Sequence, residues 1–159
     1  MPRRVLHIAI TNDQDRLAID ADRLRAAVEG VLLAEGIRAG EISLAIVDDP
    51  TIHDLNRQWL NHDEPTDVLS FVLEESDGYR EGEIIVSADT ASSRAAEFGW
   101  TAEAELLLYV VHGALHLVGY DDKEPAKREV MRERERYHIS RLGLSQGGEA
   151  GERASAGDI

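Results

Sequence analysis

The chain reads as one α+β domain: a small mixed sheet of four strands packed with about five helices, the central helix carrying a histidine pair. Two observations predict this. A length of 159 residues suits a single domain. Strand-like and helix-like runs follow one another in the order β-α-β-α-β-β-α-α-α, which offers helical crossovers for parallel strands and one hairpin for an antiparallel pair.

Val5 to Thr11 alternates Val5, His7, Ala9 and Thr11 with Leu6, Ile8 and Ile10, a strand pattern with His7 on the polar face. Asn12 to Asp15 is a polar turn. Asp20 can cap a helix running to about Glu35, with Leu24, Val28, Val31 and Leu32 on one stripe. Gly36 and Gly40 bracket its exit. Glu41 to Val47 is a second strand with Ile42, Leu44 and Ile46 on one face. Asp48 and Asp49 before Pro50 read as a turn and helix cap. Thr51 to Trp59 is a short helix with Ile52, Leu55 and Trp59 inward and His53 outward. Asn61 to Thr66 is a polar loop. Asp67 to Leu73 is apolar enough to expect burial on both faces. Asp77-Gly78 marks a hairpin-type connection. Gly82 permits a bend or a close backbone approach ahead of the strand Glu83 to Ser87.

Ser87 or Asp89 caps the next helix, which runs to about Phe98 and ends at Gly99. Thr101 caps the following one, with Glu103 and Glu105 near its positive end. It runs to about Val118 and is apolar on nearly all sides, so it should be the central, buried helix. Pro125 can open the last helix. Val130, Tyr137 and Leu142 give that helix an inward side, alternating Arg and Glu from Lys127 to Arg136 an outer one, and His138 falls on the surface. Gln146 to Ile159 is rich in Gly, Ala, Ser and Glu and reads as disordered. The domain is therefore residues 1–144, with an acidic tail over 145–159.

Composition narrows the chemistry. There is no cysteine, so disulfides and thiolate metal sites are excluded and any metal must use His and carboxylate. No apolar run is long enough for a signal peptide or a membrane span, and a cytoplasmic chain is expected. A formal net charge of −14 argues against gripping nucleic acid over the whole surface, and requires any nucleic-acid site to be a local, less negative cleft.

The chemistry concentrates between Val111 and Asp122. His112 and His116 are four residues apart, which on a helix puts both imidazoles on one face. An isolated pair at this spacing is as often structural as ligating. Here the helix around it is apolar, and buried histidines need partners. Gly119 is a natural helix C-cap, after which Asp121 or Asp122 can fold back as a third ligand and leave a position open for water. Gly113 stands where a His-Glu-x-x-His protease carries its base, so peptide cleavage is not indicated.

This stretch resembles the signature of the YbeY family of bacterial rRNA maturation factors, metal-dependent endoribonucleases, at His112, Gly113, Leu115, His116, Leu117, Gly119, Tyr120 and Asp121. A second family block is matched by Leu55, Asn56, Trp59, Asp63, Pro65, Thr66, Asp67, Val68, Leu69, Ser70 and Phe71, and a third by Gly82, Glu83, Ile84, Val86, Ser87 and Asp89. The likeness covers roughly residues 5 to 142, in order and at family spacing. Two functional positions depart from the pattern. Asp122 replaces the family's third metal-binding histidine, and Leu60 replaces an arginine that would stand near the scissile phosphate.

The resemblance implies a metal site of His112, His116 and Asp122 holding one zinc ion per chain, with Asp121 a rival ligand. It implies catalytic roles for His112, Asp121 and Ser70, the last hydrogen-bonding substrate. The reaction implied is hydrolysis of single-stranded RNA in 16S rRNA 3′-end maturation and ribosome quality control, with the rRNA precursor and the small subunit as partners and neither DNA nor membrane involved. Asp122 in place of His lowers the charge of a loaded site by one unit, which favours harder divalent ions. Arg57 or His62 can be asked to replace the lost guanidinium. Asp67, Glu83 and Asp121 are candidate bases, each with a structural role as the alternative reading. Two other functions are considered: a ribosome-associated factor with a structural metal and little catalysis, and a metal-dependent hydrolase of another small ester or amide.

Overall fold

The computed structural model describes residues 5–144. The expected tail over 145–159 lies outside them. The elements are β1 (Leu6–Asp13), α1 (Ala21–Ala34), β2 (Ala39–Val47), α2 (Asp49–Leu60), β3 (Val68–Ser76), β4 (Tyr79–Ser87), α3 (Ala88–Phe98), α4 (Ala102–Leu117) and α5 (Pro125–Arg141). The α+β class and the element order are as the sequence implies. Helix starts are set by local chemistry: the side chains of Asp20, Asp48, Ser87 and Thr101 accept from backbone N–H groups three residues on.

The sheet order is β1-β2-β4-β3. β1 pairs parallel with β2, and β2 parallel with β4. The Asp77-Gly78 turn folds β3 back antiparallel on β4. β3 is therefore an edge strand, with β4 inserted between it and β2. This overturns the expectation of burial on both faces for the whole Asp67 to Leu73 run. Val68 and Leu69 are buried, but Val72 is exposed and Leu73 is 63 % exposed. A register shift between Val72 and Glu74 carries the outer half of the strand past its cover.

The main core lies on one face of the sheet. There Ile8, Ile42, Leu44, Ile46, Val68, Ile84 and Val86 meet α1 and α4. Every residue of α4 is buried except Ala102, Glu103 and His116, as expected of a helix apolar on all sides. The opposite face is covered in part by α2 through Ile52, with Leu55 and Leu60 beside Val47, Leu69 and Ile85. Trp59, expected inward, is 67 % exposed and touches only the rim of this second core, with its ring 6.5 Å from Phe71.

Two glycines let α4 lie close to the sheet. A Cβ on Gly113 would stand 2.7 Å from Ile84 Cγ2 and 3.2 Å from Val68 Cγ2. One on Gly82 would stand 2.8 Å from both Leu117 Cδ2 and Phe71 O, so Gly82 serves a close approach rather than a bend.

α5 corrects the sequence reading most. Val130 and Tyr137 are exposed, and the buried positions are Met131, Glu135, His138 and Ile139. Their spacing of i, i+4, i+7 and i+8 is helical, but two of the four are polar. A reading that seeks apolar residues passes over an inward face whose polar members are buried because they have partners. His138, expected on the surface, is 4 % exposed.

Candidate metal centre

The centre is built at the end of α4. His112 is fully buried one turn before the C-terminus, and His116 follows on the same face, its side chain 15 % exposed. The helix ends as a Schellman turn: the N–H of Tyr120 donates to Leu115 O and that of Gly119 to His116 O, both at 3.1 Å, with Gly119 at φ +103°. That reversal brings Asp122 back beneath the histidines, where it is buried. Arg128 Nε donates to Asp122 O at 2.9 Å and ties the end of the turn to α5.

The three side chains converge. His112 Nε2 and His116 Nε2 are 3.1 Å apart. Asp122 Oδ2 lies 3.4 Å from His112 Nε2, and Oδ1 lies 3.8 Å from His116 Nε2. One donor atom from each residue falls within 4.8 Å of the others. Two ligands each about 2.0–2.2 Å from a tetrahedral ion stand roughly 3.3–3.6 Å apart, so this spacing suits a shared ion. Asp122 Oδ2 is buried and makes no close hydrogen bond, only a long contact of 3.4 Å with His112 Nε2, which itself lies 3.1 Å from His116 Nε2. Such an oxygen is costly to bury, and a cation held between the three groups would satisfy it.

A residue that the sequence reading missed completes the arrangement. Glu135, buried on α5, accepts from His112 Nδ1 at 2.5 Å. This fixes the ring and points Nε2 into the cluster. Asp121, the rival ligand, instead accepts on Oδ1 from the Lys123 N–H at 3.0 Å. The available signal was the helical step from Met131 to Glu135, visible only once the buried face of α5 is known.

Other expected residues fall as follows. Ser70 is half-buried and, by alternation along β3, shares with Val68 the face against which α4 packs. Asp67 is held by Arg94 Nη1 at 3.0 Å and by the Val68 N–H at 2.9 Å, a structural engagement. Leu60 packs in the second core, across the sheet from α4. Arg57 pairs with Asp54 on its own helix, and His62 is exposed in the loop. Among the described residues no hydrogen bond or ion pair joins either to His112 or His116.

The electrostatics separate the two imidazoles. Burial pushes His112 down, but its hydrogen bonds and charge interactions with Asp122 and Glu135 outweigh that and hold it up at about 9. Burial, with the charge on His112 added, pushes His116 down to about 4. Burial alone would raise Asp122, but the His112 bond and the two imidazoles hold it low. At neutral pH the metal-free cluster therefore contains an imidazolium at His112, a neutral His116 and a carboxylate.

The pH dependence of metal uptake follows. An imidazolium nitrogen is no ligand, so loading must displace the Nε2 proton of His112. Below pH 9 the apparent zinc affinity should rise about tenfold per pH unit, and above pH 9 it should level off. Calorimetry in buffers of different ionisation enthalpy should report about one proton released per zinc at pH 7. A pH-independent affinity between 6 and 8 contradicts the assignment.

Two imidazoles and a carboxylate on a buried helix end, with one edge open at His116, are the arrangement of a metal-dependent hydrolase. The profile of the family described as endoribonuclease YbeY matches residues 9–143. The chain belongs to that family. An endoribonuclease YbeY of Salinibacter ruber is 43 % identical over 141 residues, covering 84 % of this chain and 90 % of that one. One from Pelotomaculum thermopropionicum is 38 % identical over 150 residues, covering 87 % and 99 %. A solution structure from Thermotoga maritima is similar at a TM-score of 0.62 and 32 % identity, covering 85 % of this chain and 88 % of that one. Among the described residues no helix is long and apolar enough to cross a membrane.

Proposed function

We propose that residues 1–144 form one endoribonuclease domain that hydrolyses single-stranded RNA in 16S rRNA 3′-end maturation, in the cytoplasm and in association with the small ribosomal subunit. His112, His116 and Asp122 hold one zinc ion. The observation that carries this reading is the convergence of a buried Asp122 carboxylate and two imidazole nitrogens, at 3.4, 3.8 and 3.1 Å from one another. A bound zinc ion would supply Lewis acidity toward a phosphoryl oxygen and lower the pKa of water to about 7.

The chain's own groups do the rest. Glu135 keeps His112 in the tautomer that aims Nε2 at the cluster. His116, the member with solvent exposure, marks the side from which the phosphodiester arrives. Asp121, next to the ligand turn, is assigned to proton transfer, and Ser70, on the α4 side of β3, to hydrogen bonding the RNA backbone. No guanidinium stands at position 60, so Leu60 contributes nothing to stabilising charge on the phosphoryl oxygens, a part that a bound ion would supply.

The test pairs elemental analysis with cleavage. Purified protein should carry about one zinc per chain and cut a single-stranded RNA oligonucleotide but not its duplex, and a chelator should remove both the metal and the cutting. Zinc bound without cleavage under any divalent ion would sink the nuclease reading and leave a ribosome-associated factor with a structural metal.

A further inference from the structure

Glu35 is the C-cap residue of α1, where its own N–H is bonded to Val31 O at 3.0 Å and Leu32 O at 3.2 Å. Its carboxylate gathers three side chains from two other segments. Oε1 accepts from Tyr120 Oη at 2.8 Å. Oε2 accepts from Arg134 Nε at 3.0 Å, from a second nitrogen of the same guanidinium, and from His138 Nε2 at 3.2 Å. Burial favours protonating this carboxyl, but the Arg134, Tyr120 and His138 bonds outweigh it and hold Glu35 ionised. None of these four residues belongs to the metal cluster.

Their positions along the chain are what matter. Tyr120 lies in the turn that returns Asp122 to the histidines, two residues ahead of it. Arg134 immediately precedes Glu135, whose carboxylate fixes His112. The turn is anchored at its start by the Schellman bonds of the Gly119 and Tyr120 N–H groups and at its end by Arg128 on Asp122 O. The Tyr120 side chain is the tie between these two anchors, and it ends on Glu35.

We propose that Glu35 is a positioning residue for the metal centre: by bonding Tyr120 and Arg134 at once, it fixes where Asp122 and Glu135 stand relative to His112. α1 supplies no ligand, yet it becomes the fixed post from which both the third ligand and the orienting carboxylate are held. Donor atoms that must meet within a few tenths of an ångström need such bracing, because a turn alone is softer than a helix. The inference rests on the reading that the cluster holds a metal, and its test keeps the two separable.

The test measures zinc affinity by competition with a chelating indicator, and the visible spectrum of the cobalt(II)-loaded protein, on the full chain. Glu35→Gln keeps the volume but loses the charge and one acceptor for Arg134. It should weaken zinc binding by about 10–100-fold, the range for outer-sphere partners, and alter the cobalt bands. Tyr120→Phe, which removes one hydroxyl, should weaken binding in the same direction, and the double variant should fall short of the sum because the two share one path. If Glu35→Gln does not fold, Tyr120→Phe carries the test. Variants that fold and bind zinc like the wild type, with unchanged cobalt spectra, overturn the positioning role even if their unfolding temperature drops. A wild-type protein that takes up neither metal overturns the metal centre, and the proposal with it.

Discussion

Asp122→Ala should abolish zinc loading and bring RNA cleavage down to the level without enzyme. Asp122 is the one carboxylate in the cluster, and it stands 3.4 Å and 3.8 Å from the two ring nitrogens. Without it two imidazoles remain, one of them an imidazolium in the metal-free protein, and the carboxylate still bonded to His112, that of Glu135, is turned to the far nitrogen of the ring and cannot ligate the ion. The loss should exceed the 10–100-fold that removal of an outer-sphere partner costs. The fold should persist, because the Schellman turn and Glu135 do not depend on the Asp122 side chain. A second readout is independent of metal. The Asp122 bond leads the groups that raise His112, so its pKa in Asp122→Ala should fall below about 9 in an NMR titration of the metal-free variant. Near-stoichiometric zinc in Asp122→Ala would show that the ligand set is drawn wrongly.

Gly113→Glu would restore the letters of a His-Glu-x-x-His motif, and it should fail to fold. Gly113 is buried, and its first side-chain atom would stand 2.7 Å from Ile84 Cγ2 and 3.2 Å from Val68 Cγ2. Both neighbours are β-branched residues on the sheet, with little freedom to turn aside. A carboxylate forced into that contact adds overpacking to an unpaired buried charge, a combination above about 4–5 kcal/mol and comparable with the whole stability of a small domain. Gly113→Ala is the graded control. Overpacking costs about 1–3 kcal/mol, and alanine's better helix propensity returns about 1, so a net loss of up to about 2 kcal/mol should appear in denaturant unfolding. A Gly113→Ala protein more stable than the wild type would show that α4 can stand off from the sheet.

The cluster of His112, His116 and Asp122 was legible because it is local. His112, His116, Gly119 and Asp122 lie within eleven residues, and helix periodicity plus a glycine reversal suffices to bring them together. The helix caps at Asp20, Asp48, Ser87 and Thr101 were legible for the same reason, each being a bond across three residues. The edge position of β3 was not. It depends on β4 pairing with β2 across the whole of α2 and β3, and no local pattern records which strand becomes a neighbour.

The partners of the site were hidden in the same way. Glu135 is 23 residues from His112, and Glu35 is 85 residues from Tyr120. In the sequence both sit among other charged residues and look like solvated surface. Periodicity, capping and spacing determined the α+β class, the buried central helix and the shared face of His112 and His116, while the choice of Asp122 over Asp121 rested on the family likeness. Tertiary packing alone decided which charged residues were drawn inward, since a buried ion is tolerated only beside a counterpart that the chain delivers from far away.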